Sequence, residues 1–451
     1  MSPGAWFDRH DRASKKNARR NQPITRVLFD YAVNYREALA WLYGLQRFGI
    51  KLGLENIRRL LDECCSGVRR GERPALAQAG ASTFRVIHVA GTNGKGSVCA
   101  MIDSICRARG YRTGLFTSPH LVTFRERIRV SGEMIFEEAV ASGLTTIRDL
   151  IANWDPHPTF FEVTTALALK HFSEARIDVA TLETGMGGRL DATNAIQSDV
   201  SVITPIDFDH EQWLGKTIPQ IATEKAGIIK PGVPVVCAPQ RPEAERVIHA
   251  RSVECEAPLQ VVSERYDRSP IALRGDHQTQ NAAVAIAAIH AAGMEIDDKA
   301  IARGLARIDW PARFQMWDER TIIDGAHNPA AAGVLAETWR EIFGDQKATL
   351  ILAVLSDKNL RGICEALIPI TDSVLLPKIR SERAAHPQAL ARVLSSIAPA
   401  LPYSITPSLA DALTRACAEP NLILLTGSLH FAGEALAHLR GEPAAFEECA
   451  Q

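Results

Sequence analysis

The sequence predicts an α/β protein of two domains, a parallel sheet covered by helices on both faces followed by a second, smaller α/β unit. Three observations predict it. Short aliphatic and β-branched runs alternate with helix-length stretches from residue 85 almost to the end, as βαβ units require. The alternation pauses once, at Asp309-Trp310-Pro311, and then resumes. The chain's 451 residues also exceed what one ordinary core accommodates.

The elements follow in order. The first two dozen residues are polar and basic, with Arg9, Arg12, Lys15, Lys16, Arg19 and Arg20 and no apolar stretch behind the charges. That pattern excludes a secretory signal and predicts a disordered leader over 1–28. From Tyr35 to Leu61 apolar residues recur at helical spacing, broken at Gly49 and Gly53, which reads as two helices around a loop. Strands are expected at 85–89, 112–117, 178–183, 200–204 and 234–238. Helices are expected at 98–108, 137–152, 164–174, 218–229 and 242–254, and two more at 281–291 and 298–308. These make a central domain over 29–308, and 309–313 reads as a hinge. Beyond it come strands at 321–323, 349–354, 373–376 and 422–425. Helices at 330–343, 360–367, 387–397 and 409–417 and a closing helix complete a smaller domain over 314–440, followed by a tail over 441–451.

Composition narrows the function class. Apolar residues at 46% and charged residues at 23% are those of a globular protein. A net charge of −1 gives no surface for nucleic acid or membrane, and the apolar runs are too short to span a bilayer. Nine cysteines, an odd number without paired metal spacing, fit reduced thiols in the cytoplasm.

The most informative stretch is Val86 to Ser97. A β-branched strand breaks at Gly91-Thr92-Asn93-Gly94-Lys95-Gly96-Ser97, and a helix follows. Such a turn lets backbone N–H groups approach an anion, with the helix N-terminus adding its dipole. Lys95 would supply a point charge for terminal phosphates and Ser97 a hydroxyl for Mg²⁺. The common phosphate-loop spacing is not met, because Val89 stands at the first glycine and Gly96 separates Lys95 from Ser97. The loop is of a variant type.

Other unusual residues fall at strand ends, where open α/β sheets bind ligands. Ser118, in Thr117-Ser118-Pro119-His120, could face a metal or phosphate, or be an ordinary turn serine. Glu183 ends a strand before a glycine cluster at Gly185, Gly187 and Gly188, which suits a hard cation. Asp207, Asp209 and His210 follow the strand ending at Thr204; His210 alone is as well read as a satisfied loop residue. Lys225 could be a surface partner of Glu224. If burial depresses its pKa, it could instead capture CO₂ as a carbamate. Arg313 beside the hinge could reach a phosphate, and Asp324 at a strand end could hold a ribose hydroxyl.

Taken together these stretches resemble the folylpolyglutamate synthase/dihydrofolate synthase family of the Mur ligase superfamily. The matching segments are His88 to Ser97, Thr117 to Leu121 with Glu126-Arg127, Glu183 to Asn194, Asp209-His210 with Trp213-Leu214-Gly215, and Glu224 to Ile228. They continue with His277-Gln278, Asn281, Trp310 to Gln315, Asp324 to Pro329 and Thr426 to Leu429, all in the family's order. The resemblance implies a P-loop-type parallel-sheet ATPase domain followed by a smaller Rossmann-like α/β domain.

It further implies an ATP-dependent ligase that adds L-glutamate to tetrahydrofolate, and also to dihydropteroate, through an acyl phosphate. By resemblance, Thr92, Asn93, Gly94, Lys95, Gly96 and Ser97 hold ATP phosphates, Asn281 contacts adenine, Arg313 the phosphates and Asp324 the ribose. Ser118, Glu183, His210 and a carbamylated Lys225 would hold two Mg²⁺ ions, and His327 would contact the γ-phosphate. Lys95, Lys225, His210 and His327 form the implied catalytic set. Thr159, Phe160, Phe161 and Glu162, with Leu190, Asp191 and Ala192, match positions that hold the pterin in bifunctional members. A cytoplasmic monomer is expected.

Three stretches depart from the family pattern. Residues 257–275 are short, Ser356-Asp357-Lys358-Asn359 ends in Asn where an acidic residue is usual, and Leu52-Gly53-Leu54-Glu55 lacks a preceding acidic residue. The alternatives are a Mur-type amino-acid ligase with another carboxylate acceptor and a nucleotide-dependent switch. No base-reading motif of the switch class is present.

Overall fold

The computed structural model describes residues 34–49, 53–64 and 84–447. The expected leader over 1–28, Leu52, Cys65 and the last residues of the expected tail lie outside them. In chain order the elements are α1 (Tyr35–Gly44), α2 (Glu55–Cys64), β1 (Arg85–Ala90), α3 (Lys95–Arg109), β2 (Thr113–Phe116), β3 (Ile128–Val130), β4 (Glu133–Met134), α4 (Glu137–Leu150) and α5 (Phe160–Glu174). They continue with β5 (Val179–Glu183), β6 (Val200–Ile203), α6 (Glu211–Leu214), α7 (Ile218–Ala226), β7 (Val235–Cys237), α8 (Pro242–Glu254), β8 (Leu259–Val261), α9 (His277–Ala291) and α10 (Asp298–Ala306). The second half holds β9 (Gln315–Met316), β10 (Thr321–Ile323), α11 (Pro329–Phe343), β11 (Ala348–Leu352), α12 (Leu360–Leu367), β12 (Thr371–Pro377), α13 (Pro387–Ile397), β13 (Tyr403–Thr406), α14 (Leu409–Ala418), β14 (Leu422–Thr426) and α15 (Leu429–Leu439).

These strands form two sheets. The first has eight strands in the order β4-β3-β2-β5-β1-β6-β7-β8, and the second six in the order β13-β12-β11-β14-β10-β9. The two-domain α/β expectation therefore holds. β1 lies at the centre of the first sheet, parallel to β5 and β6, and it is buried on both faces, as a central parallel strand requires. Two edges depart from the all-parallel expectation. β3 and β4 run antiparallel beside β2, and β9 runs antiparallel to β10.

Helix boundaries are set by caps that a periodicity reading underweights. α5 begins at Phe160 rather than 164, because Thr159 and Glu162 form a capping box. α9 begins at His277, a full turn before Asn281. α7 ends at Ala226, short of the expected 229. The short strands β3, β4, β8, β9 and β13 were not anticipated, since two to four residues carry little period-two signal.

The second sheet packs α11 through a buried aromatic group. Trp339 is fully buried, lies 4.7 Å from the Phe343 ring and edge-on to Phe314, and donates its Nε1–H to Gln346 O at 2.7 Å. Truncation there removes both the packing and the hydrogen bond. Trp339→Ala is expected to cost about 3–5 kcal/mol, read as a lower midpoint in urea unfolding. Gly333→Ala on the same helix, where an added Cβ meets nothing within 4 Å, is expected to gain roughly 0.5–1 kcal/mol.

Candidate active site

The carboxyl ends of β1, β2, β5 and β6 open on one cavity of about 1130 Å³ that also reaches the second sheet's first loop, with Asp324 and His327 in its wall. Every candidate residue lines it, from Thr92 and Lys95 to Arg313. Such a cleft between sheets is where small-molecule sites form.

The glycine-rich turn is built by close approaches. Gly91 sits at φ +148 where a Cβ would strike the Thr204 hydroxyl, and Gly94 at φ +87 faces Asn281 Oδ1. The additional Gly96 has its own reason. An added Cβ there would lie 3.2 Å from Trp310 Nε1, so the indole before Arg313 packs onto the first turn of α3. The turn's donors differ from expectation in one respect. Thr92 and Asn93 give their N–H groups to Pro205 O at 3.0 and 3.2 Å. The Thr92 hydroxyl donates to Asp207 O at 3.0 Å, and the Asn93 amide pairs with Asn328. These two residues tie the loop down, because a loop between strands must satisfy its backbone. The anion-facing donors are left to the helix start at Lys95, Gly96 and Ser97, whose N–H groups have no intrahelical acceptor.

Glu183 ends β5 and is buried, with Oε2 accepting the Ser118 N–H at 3.1 Å. Burial raises its pKa, opposed by Lys95, the Ser118 N–H, Arg313 and Arg127. Beside it the Ser118 hydroxyl is buried with no hydrogen-bond partner among the described residues. An orphaned oxygen next to a buried carboxylate fits a hard cation.

His210 follows at φ 51. Burial lowers its pKa to about 4, against the pull of Asp209, so the ring is neutral and its lone pair is available to a metal. Lys225 is buried, donates to Gly91 O at 2.7 Å, and is lowered to about 7 by burial and by Lys95. A surface pairing with Glu224 is thereby excluded, since Glu224 bonds Arg189 instead. A carbamate fits this position, because it would replace a cation beside Lys95 with an anion.

The sequence places Asp209 at a strand end without assigning it a role. It is buried and joins the two sheets: Lys358 Nζ lies 2.6 Å from Oδ1 and His327 Nε2 3.5 Å from Oδ2. Burial opposes its charge, but His327, His210 and Lys358 hold it well below the usual carboxylate range. Lys358 belongs to the segment noted only for its terminal Asn359, and that residue caps α12 by accepting the Gly362 N–H at 2.9 Å.

Several expected ligand residues serve the scaffold. Asp324 accepts the N–H groups of Phe314 at 2.7 Å and Ala326 at 2.8 Å, tethering the turn in which Ala312 and Phe314 flank Arg313 at positive φ. Asp191 accepts from Gly185, Met186 and Thr193, shaping the glycine cluster. Thr159 and Glu162 bond each other, Phe160 stacks on Tyr43 at 5.7 Å, and Ala192 is core. Phe161, against Gly185, and Leu190 keep the most open faces of that group.

Comparison with known proteins agrees with this geometry. The Mur ligase middle domain matches residues 89–235, and the Mur ligase glutamate ligase domain matches 312–429. The chain is 34% identical over 374 residues to the dihydrofolate synthase/folylpolyglutamate synthase of Bacillus subtilis, covering 75% of this chain and 84% of that protein. This chain belongs to the dihydrofolate synthase/folylpolyglutamate synthase family. Among solved structures, a Mycobacterium tuberculosis folylpolyglutamate synthase complexed with ADP and AMPPCP superposes with a TM-score of 0.80 at 34% identity, covering 90% of this chain and 99% of that one. A Yersinia pestis bifunctional folylpolyglutamate synthase/dihydrofolate synthase complexed with AMPPNP and Mn ion gives 0.78 at 29% identity, covering 90% and 98%. Among the described residues no helix is long and apolar enough to cross a membrane, and seven cysteines are free thiols.

The close approach of Gly188 offers a test of the site's backbone. A Cβ there would lie 2.8 Å from Lys225 O and 2.9 Å from Glu224 O, so Gly188→Ala must push the end of α7. It is expected to lower stability by about 1–3 kcal/mol and to reduce turnover more than Gly333→Ala does, as measured by thermal unfolding and ADP release.

Proposed function

We propose that this protein is an ATP-dependent amide ligase that adds L-glutamate to tetrahydrofolate, and also to dihydropteroate, through an acyl phosphate. The observation that carries the reading is one cleft joining Lys95 at a helix start, the orphaned Ser118 hydroxyl beside Glu183, and Arg313 from the linker. The relatives' names supply the acceptor class.

In the proposed reaction the acceptor carboxylate attacks the γ-phosphorus of ATP, the bond to the β-phosphate oxygen breaks, and ADP leaves. The amine of glutamate then attacks the acyl carbon and phosphate departs with the bonding electron pair. Chemistry at phosphorus asks mainly for position and charge neutralisation. Lys95 and the N–H groups of Gly96 and Ser97 would neutralise the phosphates from one side, Arg313 from the other, and His327 would contact the γ-phosphate. Gly94 lets Asn281 approach the loop, and Asn281 would face the adenine; Asp324 would meet the ribose. Phe161 and Leu190 would line the pterin wall, with Asp191 setting their backbone.

The residues fit divalent metal. Ser118, Glu183, His210 and a Lys225 carbamate would hold Mg²⁺ at two positions, and bound metal would withdraw charge from the phosphates. We place the hinge at 309–313, between domains at 29–308 and 314–440. The free thiols support a cytoplasmic setting.

The deciding assay is ADP release with glutamate plus tetrahydrofolate, or plus dihydropteroate, with the product checked by mass for one added glutamyl residue. Release with neither acceptor, but with a nucleotide-linked sugar carboxylate, would assign the chain to another Mur-type acceptor. Lys225→Ala is expected to lower turnover by about 100-fold or more with the fold intact. Partial recovery with short carboxylic acids would mark the carbamate. Its formation needs the neutral amine, whose fraction rises with pH through about 7. Enzyme stripped of CO₂ should therefore regain activity roughly tenfold faster at pH 8 than at pH 6 when dissolved CO₂ is held equal; an equal rate at both pH values would count against it.

A further inference from the structure

We propose that Glu447 is a positioning residue for this reaction, fixing from the segment that follows the second domain the loop that carries Ser118 into the cleft. The inference rests on the ligase reading and on Ser118 as a metal ligand.

Residues 117–127 connect β2 to β3. The first domain secures this loop at its base, through Thr117 N–H to Arg127 O at 3.0 Å. It is closed within itself by Glu126, which accepts the N–H groups of Leu121, Val122 and Thr123 at 2.8, 2.9 and 3.1 Å. Its tip belongs to the other sheet. Leu121 and Val122 pack in the apolar cluster of Phe431, Leu425 and Phe446. Gly433 on α15 is pressed against them so closely that a Cβ would lie 2.6 Å from the Leu121 carbonyl carbon.

Glu447 closes this arrangement. Its N–H donates to Val122 O at 2.8 Å. Its carboxylate accepts the Phe124 N–H at 2.5 Å, the Thr123 hydroxyl at 3.1 Å and the Tyr35 hydroxyl at 3.2 Å. Arg127 donates Nε–H to His120 Nδ1 at 2.9 Å, which leaves the proton on His120 Nε2 to donate to Glu447 O at 3.1 Å. The segment thus grips residues 120–124 by main chain and side chain together.

Ser118 lies two residues before this grip. Its N–H is held by Glu183, while its hydroxyl has no partner among the described residues and is aimed by the backbone around it. Loosening residues 120–124 would let that oxygen wander, together with Leu121 and Glu126, which also line the cavity. Preorganisation of this kind is what a supporting shell contributes to a metal site.

The test compares full-length wild type with Glu447→Ala and Glu447→Gln. Mn²⁺ binding in the presence of AMPPCP is followed by electron paramagnetic resonance, and Mg²⁺ half-saturation by ADP release. Glu447→Ala is expected to weaken Mn²⁺ binding and raise the Mg²⁺ half-saturation by about fivefold or more, leaving KM for glutamate within about twofold. Glu447→Gln, which keeps one acceptor oxygen, should fall between. Should Glu447→Ala fail to fold, Glu447→Gln and Tyr35→Phe carry the test, with smaller shifts in the same direction. Folded variants with wild-type Mn²⁺ affinity and Mg²⁺ half-saturation, even at a lower Tm, would overturn the proposal by showing a purely structural segment. A wild type that binds no Mn²⁺ overturns it too, whereas one that binds Mn²⁺ but releases no ADP overturns the ligase reading instead.

Discussion

The constraint on which the structure turns is the burial of the Glu183 carboxylate at the end of a central strand. A buried charge must be paired or hydrogen-bonded, and here the opposing groups come from separate elements: Lys95 from α3, the Ser118 N–H from the loop after β2, Arg313 from the linker, and Arg127. None of these is a neighbour in sequence. The need to offset one carboxylate therefore draws the phosphate loop, the β2–β3 loop and the linker onto a single point. Asp209 repeats the arrangement at the edge of β6, gathering Lys358 and His327 from the second domain.

Much of this was legible in the sequence because strand ends announce themselves. Val86 to Ser97, Glu183 with its glycines, and Asp324 to Pro329 each show an aliphatic run breaking into a polar or glycine-rich turn, and the sheets place all three at the cleft. The long helices were legible through their period. The two-residue strands were not, since pairing at an edge depends on what lies alongside rather than on the residues themselves.

What the sequence hid were obligations between distant residues. Thr159 and Glu162 read as ligand positions, and they line the cavity while also forming a helix cap. Thr92 reads as a phosphate ligand, yet its hydroxyl donates to Asp207 O and its N–H to Pro205 O. Gly96 reads as a spacing defect until Trp310 is seen to occupy the space its missing side chain leaves. Lys225 is the converse case. Its sequence neighbours favour a surface pair, and only burial against Gly91 reveals a lysine that can lose its proton near neutrality.

The grip of Glu447 on Thr123 spans 324 residues of chain, and that separation bears on folding. Contacts so far apart are costly to close and tend to form late. β1 likewise waits for β5 and β6 before either of its sides is paired. During vectorial synthesis the first sheet can gather around its central strand well before α15 and the segment after it emerge. The loop bearing Ser118 then receives its last partner only when the second domain has folded onto it, so completion of the cleft is among the closing events of the chain's assembly.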